Sequence, residues 1–92
     1  MALRFINQGK TFLVEGNINP NTLKQFKNHL EFLLLYCKSL TLNMDGVETI
    51  DRNGIQILKE LYAVSLSSNK KFSIIGKRSE EIYKDFQSIN AA

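Results

Sequence analysis

The stretch from Leu40 to Gly54, LTLNMDGVETIDRNG, constrains the fold more than any other part of the chain. Apolar and polar residues alternate from Leu40 to Met44, which is the pattern of a half-buried strand. Asp45-Gly46 then predicts a turn, because both residue types favour turn backbone over a strand ladder. From Ile55 onward the apolar residues take helical spacing. The stretch therefore predicts a strand, a short loop and a helix.

The start of this helix, predicted over Asn53 to Ser67, is the candidate functional region. Asp51 and Asn53 both suit its N-cap position. A helix N-terminus leaves backbone N–H groups unpaired and adds partial positive charge. A phosphate on a side chain here would therefore act as a strong local switch. The apolar stripe expected on the helix is Ile55, Leu58, Leu61, Tyr62, Ser65 and Leu66, flanked by Ile57 and Val64.

The first half of the chain predicts a hairpin and a helix. Strands are expected at Ala2–Ile6 and Thr11–Glu15, with a turn at Gly9 between them and Gly16 ending the second strand. Asn19-Pro20 is expected to begin a helix of about 16 to 18 residues, with Asn19 as its N-cap and Pro20 at its first helical position. Its apolar stripe is Leu23, Phe26, Leu30, Leu33, Leu34 and Cys37.

The rest of the chain completes an α/β pattern. A strand is expected at Lys71 to Gly76, and a last helix is expected to begin at Ser79. A strand–helix–strand crossover of this length implies parallel strands and a right-handed connection. The strands alternate instead of being apolar throughout, which predicts a sheet covered on one face. We expect a mixed sheet of about four strands with helices mainly on one face.

The composition predicts one small cytoplasmic domain spanning residues 1–92. The chain has 92 residues, one Cys and a net charge of +3, so it offers no disulfide framework. The basic residues are scattered, which does not favour a nucleic-acid partner. The longest apolar run, Phe32–Cys37, is far shorter than the ~20 residues of a membrane span, so direct membrane insertion is not expected.

No sequence motif supports catalysis, a metal or a cofactor. His29 is the one histidine, and Cys37 is expected to act as a small buried apolar residue. The carboxylates Asp45, Glu48 and Asp51 lie close in sequence, but the spacing of a known metal motif is absent. We therefore expect a chain that is not an enzyme and has no catalytic or metal-ligating residues.

The residues MDGVETIDRNGIQIL resemble the signature of STAS domains, the sulfate-transporter and anti-sigma-factor-antagonist family. That signature ends in D-S-S-G-L at the start of a helix, and a partner kinase phosphorylates the second Ser. Asp51 and Gly54 match the motif, whereas Arg52 and Asn53 replace the two Ser residues. The resemblance implies the STAS fold, and it implies that this chain lacks the usual phosphorylation site.

The resemblance further implies a regulatory protein–protein interaction module of the anti-sigma factor antagonist type. Its partner would be an anti-sigma factor or a GHKL-type switch kinase. Asn53 has no hydroxyl group, so our hypothesis is a domain held permanently in an unphosphorylated-like state. Arg52 either points into solvent or serves an acidic group of the partner, and Ile50 is either a contact or part of the core. The expected partner-binding residues are Val47, Ile50, Asp51, Arg52, Asn53 and Gln56.

Two other classes of function stay open. A STAS subunit of a membrane lipid-transport complex with an ABC ATPase would also need no phosphorylatable Ser. A self-associating structural module could form a homodimer through the open sheet face or through the edge strand Ala2–Ile6. Sigma-factor or transporter genes beside the gene would separate the first two classes.

Overall fold

Four strands form one mixed sheet in the order β1-β2-β3-β4. The computed structural model describes residues 3–90, with side chains as far as Phe86. β1 is antiparallel to β2, whereas β2, β3 and β4 are mutually parallel. The elements are β1 (Arg4–Gln8), β2 (Thr11–Ile18), α1 (Leu23–Tyr36), β3 (Ser39–Ile50), α2 (Arg52–Ser67), β4 (Lys71–Ile75) and α3 (Ser79–Asn90). The predicted α/β class, with a mixed sheet of four strands, is confirmed.

The alternation along β3 explains why the sheet is covered on one face. Leu40, Leu42 and Met44 are each at most 1% exposed and point into the core beneath the helices. Thr41 and Asn43, between them, lie on the opposite face and are only half-buried. Apolar burial of this kind is the main favourable contribution to folding. The side chains of β3 therefore form the centre of the core, as the sequence predicts.

The helix α1 begins three residues after Pro20, later than predicted. The Oδ1 atom of Asn19 accepts hydrogen bonds from the backbone N–H groups of Asn21 and Thr22, at 2.9 and 3.2 Å. This side chain closes a local turn of the kind that Asn favours, and Thr22 occupies the N-cap position instead. The helix has 14 residues, and it buries Phe26, Leu30, Leu33 and Leu34. Cys37, expected to be buried, is half-buried at the C-cap.

Asp45-Gly46 does not end β3, and this prediction of a turn is wrong. The strand continues to Ile50, and its register with β2 shifts twice. The paired residues are Leu13–Asn43, Glu15–Gly46, Gly16–Val47 and Asn17–Thr49. Each shift places an extra residue in β3, which is a β-bulge that bends the strand and leaves it in the sheet. Gly16 likewise does not end β2, which continues to Ile18.

The helix α2 buries a face slightly rotated from the predicted stripe. Ile57, Leu58, Leu61 and Ser65 are buried, whereas Leu66, which was predicted within the stripe, is 62% exposed. The helix α3 buries Ile82 and Phe86. Within residues 3–90, no helix is long and apolar enough to cross a membrane.

Tyr83 joins α3 to the edge strand β4 by a hydrogen bond. Removing its hydroxyl group should lower the free energy of unfolding by a measurable amount. The Tyr83 hydroxyl oxygen accepts a hydrogen bond from the backbone N–H of Ile74 at 2.7 Å. Tyr83→Phe leaves that half-buried N–H unpaired, so we expect a loss of about 1–2 kcal/mol in the free energy of unfolding. Urea denaturation measures it, with Tyr36→Phe on the exposed surface of α1 as the neutral control. Equal stability of the two variants would contradict this role.

Candidate functional site

Asp51 joins the end of β3 to the start of α2. Its Oδ1 atom accepts a hydrogen bond from the backbone N–H of Gly54 at 2.8 Å, which makes it the N-cap of α2. Its own backbone N–H donates to the Ile18 carbonyl oxygen at 3.1 Å. The first turn of α2 is therefore held both by its own cap and by the end of β2.

Gly54 allows α2 to begin directly against the sheet. A Cβ atom added at Gly54 would lie 2.6 Å from Cγ2 of Ile18 and 2.9 Å from Cγ1 of Ile50. Ile18 is fully buried, and Ile50 is half-buried and packs against the core. Ile50 therefore packs against the edge of the core without being fully buried, and this close packing requires the glycine of the sequence motif.

Three polar side chains form the exposed surface of this helix start. We call Arg52, Asn53 and Gln56 the first-turn surface of α2, and all three are exposed, as predicted. Gln56 Nε2 donates to Glu60 Oε1 at 3.4 Å, one helical turn further on. The first-turn surface continues into a shallow groove between α2 and α3, whose lining residues are Arg52, Ile55, Glu81, Lys84 and Asp85. A partner that contacts this surface would also reach α3.

Val47 does not belong to this surface, although it was predicted to be a partner-binding residue. Its side chain is 3% exposed and lies in the hydrophobic core. The prediction failed because it placed Val47 in a loop from Met44 to Asn53, whereas Val47 lies in the bulged second half of β3, which continues to Ile50. A partner cannot contact the Val47 side chain in this fold. The exposed partner-binding candidates are therefore Arg52, Asn53 and Gln56, with Asp51 as the residue that holds their helix turn.

A second set of contacts, not predicted from the sequence, fastens the region to the connection after β4. Asp45 Oδ1 accepts a hydrogen bond from the backbone N–H of Lys77 at 2.9 Å. The Arg78 guanidinium donates to the Glu48 carbonyl oxygen at 3.0 Å. Both contacts join the carboxyl ends of adjacent parallel strands, which meet at one edge of the sheet. These contacts could have been predicted from the sequence. Lys77-Arg78 directly follows β4, and Asp45-Gly46 directly follows the predicted end of β3, so both segments were expected at the same edge of the sheet.

The three neighbouring carboxylates do not form a metal site. Asp45 and Asp51 each accept a hydrogen bond from a backbone N–H group. Among the residues that the structure describes, no three His, Cys, Asp or Glu side chains could together hold a metal ion.

His29 stacks on Phe5, with ring centroids 4.0 Å apart, and so packs α1 against β1.

The family model for the STAS domain matches residues 2–90, and this chain belongs to the STAS domain family. Among solved structures, the chain is similar to the crystal structure of an anti-sigma factor antagonist from Mycobacterium paratuberculosis. The TM-score is 0.65 at 12% sequence identity, and the match covers 98% of this chain and 80% of the other. This likeness shows a shared fold and confirms the predicted one. No curated protein sequence matches the chain.

The N-cap at Asp51 should contribute measurably to stability. Asp51→Ala removes the acceptor for the Gly54 N–H, so we expect a loss of about 1 kcal/mol in the free energy of unfolding. Asp51→Asn keeps a good N-cap and should lose only a few tenths of a kcal/mol. Urea denaturation of the three proteins measures both changes. Equal losses in the two variants would show that the cap is not the relevant interaction.

Proposed function

We propose that this chain is a regulatory module of the anti-sigma factor antagonist type, which binds an anti-sigma factor or GHKL-type switch kinase. The binding surface is the first-turn surface of α2 with the adjoining groove against α3. The observation that carries the proposal is that the sequence motif Asp51–Gly54 lies at the exposed start of α2. Three exposed polar side chains project from a helix turn that is fixed by a side-chain cap and by the neighbouring strand. The STAS family match supports the class of function.

Asn53 sets the regulatory state in this proposal. Its amide has no hydroxyl group, so a protein kinase has no acceptor at the position where the family signature has Ser. A phosphate there would add ~2 negative charges beside the partner. Asn53 keeps the surface neutral, and the module stays competent to bind its partner. Control of the pathway then lies in the amount of this protein or in the partner.

Arg52 supplies the charge that favours an acidic partner surface. A cation in the first turn is mildly unfavourable for the helix itself, by a few tenths of a kcal/mol. Its side chain is exposed and borders the groove between α2 and α3. An acidic group of the partner would offset that cost by pairing with the guanidinium. Binding would sequester the partner and so release whatever the partner inhibits.

Phosphorylation of a serine variant tests this proposal. Wild type, Asn53→Ser and Asn28→Ser are each incubated with Mg²⁺-ATP and the GHKL-type kinases of the native host. Intact-mass spectrometry should show one phosphate on Asn53→Ser and none on the other two proteins. Asn28→Ser is the matched control, because it adds a serine on the exposed surface of α1. A phosphate on the wild type, for instance on the exposed Thr49, would contradict a module without phosphoregulation.

A further inference from the structure

The edge strand β1 is open along its outer side. Gln8 and Thr11 close a two-residue turn and exchange backbone hydrogen bonds, and the pairs that do so alternate along an antiparallel ladder. The backbone N–H and C=O groups of Phe5 and Asn7 therefore point away from β2. Within the described residues, no hydrogen bond from another element engages these groups.

The two edges of the sheet differ in how they are protected. At the β4 edge, the Tyr83 hydroxyl oxygen accepts a hydrogen bond from the backbone N–H of Ile74. The sequence of β1, RFINQ, has no Lys or Pro, and its pairing with β2 is regular, so it lacks the usual protection of an edge strand. The charge of Arg4 is paired with Glu15 on β2, Nη1 to Oε1 at 3.9 Å. β1 is thus the edge to which another strand can be added.

One side of α1 lies directly beside this open edge. Gln25 Nε2 donates a hydrogen bond to the Leu3 carbonyl oxygen at 2.9 Å, just before β1 begins. One turn further along α1, the His29 ring stacks on Phe5 with centroids 4.0 Å apart. A strand added to β1 would therefore lie next to this side of α1, and the chain that supplies the strand would meet the side chains that α1 exposes there.

That side of α1 is exposed and partly aromatic, and it carries no Lys, Arg, Asp or Glu. Phe32 and Tyr36 continue the stripe of Gln25 and His29 at helical spacing. They are 58% and 72% exposed, and their ring centroids are 4.9 Å apart. The charged residues of α1 lie on another side of the helix, and they are Lys24, Lys27 and Glu31. Interface cores are depleted in charge and enriched in aromatic side chains, so this stripe suits an interface.

We propose that two copies of this chain associate through β1 and this side of α1, which together we call the β1 edge surface. Two antiparallel β1 strands centred on Ile6 place Phe5 of each copy opposite Asn7 of the other, so that their outward N–H and C=O groups exchange hydrogen bonds. The same register puts Arg4 opposite Gln8, so no like charges face each other between the strands. The two sheets continue as one, with the two α1 helices side by side on its covered face.

The β1 edge surface is complementary to itself, which favours a second copy over other occupants. A foreign strand would fill the open edge but would leave Phe32 and Tyr36 exposed beside it. A helix would leave the outward backbone groups of β1 unpaired. A second copy supplies a strand for β1 and a matching uncharged stripe for α1 through one two-fold rotation, as in other isologous interfaces.

This dimer leaves the first-turn surface of α2 accessible. β1 and β4 are opposite edges of the sheet, and the groove beside the first-turn surface is formed with α3, which follows β4. The dimer therefore carries two first-turn surfaces, one on each outer side. The association is independent of the proposed function, so either can fail while the other holds.

Sedimentation velocity of the wild type and four variants tests the proposal, with circular dichroism to check that each variant is folded. The wild type should change from monomer to dimer between about 1 and 300 µM, since a small interface gives micromolar affinity. Asn7→Pro removes an outward N–H and leaves the ladder to β2 intact, so it should stay monomeric. Asn7→Ala keeps that N–H and should dimerise as the wild type does.

A matched pair of variants on α1 tests the helix side of the interface. Phe32→Ser removes an exposed ring from the β1 edge surface and should raise the dissociation constant of the dimer about tenfold. Leu35→Ser removes exposed apolar area from the side of α1 that faces α2, and should leave that constant nearly unchanged. A wild type that stays monomeric at about 300 µM, a dimer that Asn7→Pro leaves intact, or equal effects of the two serine variants would each overturn the proposal.

Discussion

Replacing Gly54 with valine should lower the free energy of unfolding by roughly 3 kcal/mol. The added Cβ atom would lie 2.6 Å from Ile18 Cγ2, closer than any real Cβ contact, and the valine methyl groups would extend further. Ile18 is fully buried and β-branched, so it has no free space into which it can move. The start of α2 must therefore shift away from the sheet, and the Asp51 cap would be disturbed with it.

Ala63→Val is the matched control for this prediction. Ala63 lies on the exposed face of α2, so the same type of side chain there should cost only the helix-propensity difference, roughly 0.5 kcal/mol. Gly54→Ala should fall between the two, since its gain in helix propensity offsets part of the overlap. Urea denaturation of the four proteins gives the order directly. A Gly54→Val protein as stable as Ala63→Val would show that α2 does not need to approach the sheet closely.

Asn53→Glu should weaken binding to the anti-sigma factor or switch kinase by about 100-fold, which corresponds to ~2.7 kcal/mol. The substitution places a negative charge on the first-turn surface of α2, where our proposal has a neutral amide against the partner. The same charge suits the helix N-terminus and should raise stability by a few tenths of a kcal/mol. Loss of binding together with preserved stability would therefore report on the interface and not on folding.

Isothermal titration of the purified partner against wild type and Asn53→Glu measures the change. Asn28→Glu on the exposed surface of α1 is the control, and it should bind as the wild type does. Arg52→Ala should weaken binding by about fivefold, because an exposed pair with an acidic partner contributes up to ~1 kcal/mol. Binding that is the same for all four proteins would place the interface elsewhere on the domain.

The order of elements could be predicted from the sequence because each element carries a periodic apolar pattern. Leu40, Leu42 and Met44 alternate, and all three are buried on one face of β3. Phe26 and Leu30 keep helical spacing, and both are fully buried in α1. Periodicity shows which side chains face the core. The alternation of apolar and polar residues in the strands therefore predicts a sheet that helices cover on one face.

The boundaries of the elements could not be predicted, because local residue preferences compete with pairing between strands. Asp45-Gly46 favours a turn by composition, yet hydrogen bonding to β2 continues through it as a bulge. A Cβ at Gly46 would lie 2.7 Å from the Val14 carbonyl oxygen, so the glycine is required by β2 and not by a turn. The exposure assigned to Val47 was wrong for the same reason.

The candidate site was predictable in part. The motif placed Arg52, Asn53 and Gln56 on the first turn of a helix, and all three are exposed there. The contacts that hold this region against the β4–α3 connection, from Asp45 and Arg78, join residues about 30 positions apart in the sequence. Pairing between distant segments depends on the strand order of the sheet, which periodicity does not specify.

The measurement that tests the central proposal most directly is affinity capture from a lysate of the native host, with wild type and Asn53→Glu as parallel baits. Mass spectrometry identifies the captured proteins. We expect an anti-sigma factor or GHKL-type kinase on the wild type, lost from Asn53→Glu and retained by Asn28→Glu. Capture of transporter subunits instead, or of the same kinase by all three baits, would contradict partner binding through the first turn of α2.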